Sequence, residues 1–213
     1  MKRFRKSAIA LVLAVLMALQ GTEPIFVQAK EAIEDVQKNA DFSRPEALTE
    51  EEVIRRIHSY PWKRLTITGG EPMLHPIHHF CEVLGKEGYE INIETNGAVP
   101  LWRERPEGVF YTMDFKCSGS GMKSHMNLDN FKLLNGNDVL KFVVSSKEDL
   151  DEMKDVVEHH FTAARHPQFF VSPVWGRIQP DKLVEYVRNH QLQDVRVQVQ
   201  LHKIIWDPDR RGV

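Results

Sequence analysis

The residues of this chain best suited to chemistry stand together at Thr66-Ile67-Thr68-Gly69-Gly70-Glu71-Pro72. Two consecutive glycines let the backbone approach a bound molecule closely and leave its N–H and C=O groups unshielded. The carboxylate beside them can receive an ammonium group. The same residues could equally form a strand-to-helix turn capped by Glu71. His75, His78 and His79 follow, and His75 and His79 share a helical face. A metal there would need a third ligand, whereas an exposed histidine cluster at a helix start needs none. His159-His160 suits the C-terminal end of a helix dipole. The chain's two cysteines, Cys81 and Cys117, make neither a disulfide framework nor a metal knuckle. Cys81 falls in an apolar helical pattern, where a thiol acts as a small hydrophobe.

These residues must be positioned by regular elements. Thr49 and Glu52 form a capping box that starts a helix running to about Ser59. Arg64–Thr68 reads as a strand ending in Gly-Gly, His78–Lys86 as a helix, and Glu90–Thr95 and Val109–Phe115 as strands. A short helix over Asp129–Leu134 precedes a turn at Asn135-Gly136-Asn137. Val139–Val144 and Gln168–Ser172 are strands around an amphipathic helix, Lys147–Phe161, whose charges read as a solvated face. A helix over Pro180–His190 and a strand over Asp194–Leu201 complete the series. Six strands mostly separated by helices imply an α/β fold with a parallel sheet and helical crossovers. In such folds ligands bind at the carboxyl ends of the strands. The residues expected to face one site are therefore Gly69-Gly70-Glu71, Thr95-Asn96-Gly97, Lys116-Cys117-Ser118, Ser145-Ser146, Ser172-Pro173 and His202-Lys203. Their Lys, Glu and His point to a polar ligand.

The first thirty residues differ from this body. Lys2, Arg3, Arg5 and Lys6 precede an apolar run from Ala8 to Leu19 and a small-residue site at Val27-Gln28-Ala29. That is the layout of a secretory signal peptide, and the run is short for a membrane span, which takes roughly 20 residues. Residues 1–29 thus read as an export signal, or as an uncleaved anchor that would touch a membrane. A helix buried on the body or a wrongly assigned start are the other readings. Residues 30–48 read as a charged linker, leaving 49–213 as the single domain. The chain is 42% hydrophobic and 27% charged with a formal net charge of -2. Without a basic stripe, nucleic acid is not an expected partner.

Several segments together resemble one family. Gly-Gly-Glu-Pro after a strand is similar to the motif with which radical S-adenosylmethionine (SAM) enzymes bind the amino group of SAM. Asp114-Phe115-Lys116-Cys117-Ser118-Gly119-Ser120-Gly121-Met122 resembles a stretch of the 7-carboxy-7-deazaguanine synthases, with Ser118 where Pro is usual. Leu140–Val144, Ser172-Pro173-Val174-Trp175-Gly176 and the tail Gln198–Trp206 also resemble that family, over roughly residues 50–213. The resemblance implies a partial (β/α) barrel of radical SAM type and a cytoplasmic, homodimeric enzyme. Its reaction is a ring contraction of 6-carboxy-5,6,7,8-tetrahydropterin to 7-carboxy-7-deazaguanine, on the route to queuosine, with SAM, a [4Fe–4S] cluster and Mg²⁺. By the same resemblance Gly69, Gly70, Glu71, Thr95, Asn96, Lys116 and Ser118 bind SAM. Thr68, His202 and Val213 bind the pterin substrate.

The departure from the family lies at its redox centre. A cluster of this type takes three cysteine thiolates and leaves one iron for SAM. Cys81 and Cys117 are too few and too far apart, and the Thr that follows the third cysteine, a Mg²⁺ ligand, is missing with them. Leu19–Gln28 faintly resembles the family's opening strand. The sequence therefore supports an enzyme of this family inactive as it stands, a non-catalytic SAM- or pterin-binding protein on the same scaffold, or an exported domain that has lost the function.

Overall fold

The structure is a computed structural model that describes residues 48–162 and 164–208, without the side chain of His202. The signal-like segment 1–29, the linker as far as residue 47, and Val213 lie outside the described residues. Helix α1 (Glu50–His58) starts at the expected capping box: the Thr49 hydroxyl accepts from the Glu52 amide, and the Thr49 amide donates to the Glu52 carboxylate. Then follow β1 (Arg64–Ile67), α2 (His78–Lys86), β2 (Glu90–Thr95) and β3 (Val109–Phe115). Next come β4 (Val139–Val144), α3 (Lys147–His160), β5 (Gln168–Pro173), α4 (Pro180–Asn189), β6 (Val195–Val197) and α5 (Leu201–Ile205).

The six strands form one sheet in the order β1-β2-β3-β4-β5-β6, every pair parallel. Sequential order with parallel pairing is the course of a (β/α) barrel; among the described residues β1 and β6 pair with no further strand, so this sheet does not close. One sheet face carries Ile91, Ile93, Tyr111, Met113, Leu140, Phe142 and Val171, all fully buried. They pack against Leu84 of α2, Met153 of α3 and Leu183 of α4 to make the core. Burying apolar area at roughly 25 cal/mol per Å² makes this layer the main source of stability. The alternate strand residues, among them Thr66, Asn92, Thr112, Asp114, Lys141 and Phe170, are only half-buried. They form a second face that no helix among the described residues covers.

Two elements differ from the sequence reading. The segment before β4 is a 3-10 turn over Leu128–Leu133 rather than a helix. Its Asn130 side chain instead holds the helix-free β2–β3 connection, donating to the carbonyls of Gly97 and Val99 and accepting from the Leu101 amide. The last strand ends at Val197, not at Leu201. Continuing the register of β5 with β6 sets Val199 opposite Pro173, which has no N–H to extend a ladder. Leu201, Ile204 and Ile205 then take helical spacing in α5. His202 and Lys203 consequently sit in a helix beyond the sheet edge rather than directly after a strand.

Candidate functional site

The loops after β1 and β2 are joined by one buried carboxylate. Gly69 and Gly70 have φ of 97° and 60°, backbone that L residues rarely adopt. They turn the chain so that Glu71, 7% exposed, points back under the sheet edge. Its Oε1 accepts from the Thr95 hydroxyl at 2.7 Å and from the Met73 amide at 3.1 Å. Its Oε2 accepts from the Asn96 amide at 2.8 Å. Glu71 caps the Pro72–Leu74 turn, as the structural reading of the motif expects, and it draws Gly69, Gly70, Thr95 and Asn96 into one rim. A Cβ added to Gly70 would meet nothing within 4 Å, so the rim is open there to a bound molecule. A carboxylate has about four acceptor positions, and three are filled.

Below this rim lies the open sheet face. The Thr68 hydroxyl donates to Glu94 at 3.0 Å and the Thr112 hydroxyl to Asn92 at 2.9 Å. Asp114 pairs with Lys116 at 3.2 Å and stands beside Lys141 in the register. Asn92, Glu94, Thr112 and Lys141 were not singled out from the sequence. Their signal was present in Glu90–Thr95, where Ile91 and Ile93 alternate with Asn92 and Glu94. Parallel strands covered on both faces read as near-continuous apolar runs, so polar alternation marks a face left uncovered by the described residues.

The β3-end loop is gripped by α3. Asp149, 3% exposed, accepts from the Gly119 amide at 3.2 Å, the Ser145 amide at 2.8 Å and the Ser145 hydroxyl at 2.7 Å. Glu152 accepts from the Ser118 amide at 2.7 Å and pairs with Lys123. Burial opposes ionisation of both carboxyls. The Ser145 bonds for Asp149, and Lys123 with the Ser118 amide for Glu152, more than offset it and hold both below the usual carboxylate range. These two acids thus leave the solvated helix face expected of Lys147–His160 and turn inward. Among the described residues, Cys117, Asp149 and Glu152 are the one group close enough to share a metal ion. Lys123 already supplies the positive charge at Glu152, and burial together with the two carboxylates pushes the Cys117 thiol up to about 12. A protonated thiol is a poor metal ligand.

The histidines do not converge. His79 pairs with Glu50 at 2.8 Å, and His78 lies edge-on to Trp102. A [4Fe–4S] cluster does not fit the chain's cysteines either. Cys81 is buried in α2 with its thiol pushed up to about 12, chiefly by burial, and Cys117 is equally buried after β3. Two inert thiols on separate elements cannot replace three clustered thiolates.

No protein-family model matches the chain. The 7-carboxy-7-deazaguanine synthase of Clostridium acetobutylicum is 39% identical over 173 residues, spanning 78% of this chain and 76% of that protein. The enzyme of the same name from Leptospira interrogans is 32% identical over 70% of this chain and 67% of its own length. That from Koribacter versatilis is 30% identical over 78% and 79%. The crystal structure of QueE from Escherichia coli matches in fold with a TM-score of 0.55 at 19% identity, covering 72% of this chain and 64% of that one.

Proposed function

Because the chain belongs to the 7-carboxy-7-deazaguanine synthase family, a family of radical SAM carbon–nitrogen lyases, we propose that it carries that family's SAM- and pterin-binding body. In this reading Gly69, Gly70 and Glu71, with Thr95, Asn96, Lys116 and Ser118, hold SAM along the carboxyl edge of the sheet. Thr68, on the open face, contacts the pterin, and His202 and Val213 bind it by family resemblance. What supports the reading is that residues 68–71, 95–97 and 116–118 all follow parallel strands along one edge, above one polar open face. Ligands of parallel α/β proteins bind at that edge.

SAM supplies an adenosyl group for hydrogen abstraction when a reduced cluster cleaves it. The cysteines present do not fit that cluster, so we assign this chain binding and orientation and no cleavage step. The open carbonyls and amides at Gly69-Gly70 suit an amino-acid ligand, and the Glu71 tie fixes their spacing. Thr68, held by Glu94, presents a hydroxyl to a polar heterocycle. By resemblance to the family, the reading further takes the chain to be a cytoplasmic homodimer. No helix among the described residues is long and apolar enough to cross a membrane.

Calorimetric titration of the full-length chain with SAM, and separately with 6-carboxypterin, tests the reading. Saturable binding of each is expected, with S-adenosylhomocysteine displacing SAM but not the pterin. Binding of neither ligand contradicts it.

A further inference from the structure

Asp149 belongs to no segment that the family resemblance marks, yet it is as buried as Glu71 and is bonded in the same way. Glu71 joins the loops after β1 and β2; Asp149 joins the loops after β3 and β4 through Gly119 on one side and Ser145 on the other. Its backbone carbonyl also lies 3.8 Å from the Cys117 sulfur, as acceptor of the thiol. A Cβ on Gly119 would come within 2.7 Å of the Asp149 Oδ1, so any larger residue there displaces the carboxylate or the loop. One helical turn on, Glu152 takes the Ser118 amide. The first turns of α3 thus fix three consecutive residues, Cys117, Ser118 and Gly119, from beneath. Asp138, also fully buried, is a counterpart at the opposite end of the sheet: it accepts from Arg105, the Tyr111 amide and the Asn135 amide.

We propose that Asp149 is a positioning residue of the ligand site: it sets the Lys116–Gly119 loop against the Ser145 loop so that Lys116 and Ser118 meet the ligand. The inference rests on the SAM-binding reading above. A purely structural carboxylate would be interchangeable in effect with Asp138, which performs the same kind of tie about a strand length away, at the amino end.

The test compares Asp149→Asn with Asp138→Asn in the full-length chain, measuring unfolding midpoints and SAM affinity by calorimetry. Both variants are expected to lose stability. Asp149→Asn should weaken SAM binding about tenfold or more, about 1.4 kcal/mol, while Asp138→Asn changes it less than about twofold. Gly119→Ala, which crowds the same contact and leaves the carboxylate in place, should weaken binding as Asp149→Asn does; it also serves if Asp149→Asn does not fold. Equal affinity in the unmodified chain, Asp149→Asn and Gly119→Ala overturns the proposal. Absence of SAM binding by the unmodified chain overturns the functional reading instead. Amide hydrogen exchange of the ligand-free chain then decides for Asp149: protection at Ser118, Gly119 and Ser145 should fall in Asp149→Asn, and unchanged protection there overturns the role.

Discussion

Glu71 ties two strand-end loops, and its proposed duty toward the ligand's ammonium can be separated from that tie by substitution. Truncating it to Ala orphans the Thr95 hydroxyl and the amides of Met73 and Asn96. Buried donors left without acceptors cost about 1–3 kcal/mol each, partly relieved by water, so Glu71→Ala should destabilise the fold by about 2–4 kcal/mol in urea unfolding. Glu71→Gln keeps a side-chain oxygen for the amides and removes the charge. It should fold with a smaller loss yet bind SAM more weakly; unchanged affinity in Glu71→Gln would remove the carboxylate from the ligand's ammonium. Acid sensitivity belongs to the same scale. Asp149 and Glu152 are held below the usual carboxylate range in the folded chain. Their contribution to stability is therefore full above the unfolded values of about 4 and is lost as pH falls through the lower folded values. Asp149→Asn should flatten the fall in stability between about pH 5 and pH 3, and an undiminished slope in the variant contradicts the sign of that shift.

At the scale of elements, what the sequence reveals follows from which interactions are local. The α1 cap, α2 and the bounds of β2, β3 and β4 follow from nearby residues: a capping box, 3.6-residue periodicity, β-branched runs ended by turn formers. The end of β6 does not, because Pro173 on a neighbouring strand stops the ladder while Val195, Val197, Val199 and Leu201 keep alternating. The inward turn of Asp149 and Glu152 was hidden for the same reason, their partners lying roughly 30 residues earlier in the β3-end loop. The Gly-Gly-Glu rim was legible; the polar row Asn92, Glu94, Thr112 and Lys141 was legible only as alternation within strands. The amino end of the sheet is a packing device. Arg105 stacks over Tyr111 and pairs with the fully buried Asp138 at 2.7 Å. Arg105→Ala leaves that carboxylate uncompensated and should cost about 3–5 kcal/mol without changing SAM affinity per folded molecule. A matching loss of affinity would mean that the two ends of the sheet are coupled.

For the molecule as a whole, the proposed binding body stands beside a cysteine set that does not fit the family's cluster. Six parallel strands, an open polar face and two carboxylate-tied pairs of strand-end loops are present. The chain has two cysteines, both buried and both with thiols raised by burial. Membership of the 7-carboxy-7-deazaguanine synthase family, at 39% identity to one relative, motivates the binding reading, and the cysteine count limits the chemistry proposed for it. The measurement that bears most directly on this account is product analysis after anaerobic reconstitution. The full-length chain is incubated with iron and sulfide, reduced, and supplied with SAM and the tetrahydropterin substrate. The account predicts bound SAM, no [4Fe–4S] absorption band and no 5′-deoxyadenosine. A cluster band accompanied by 5′-deoxyadenosine would contradict it.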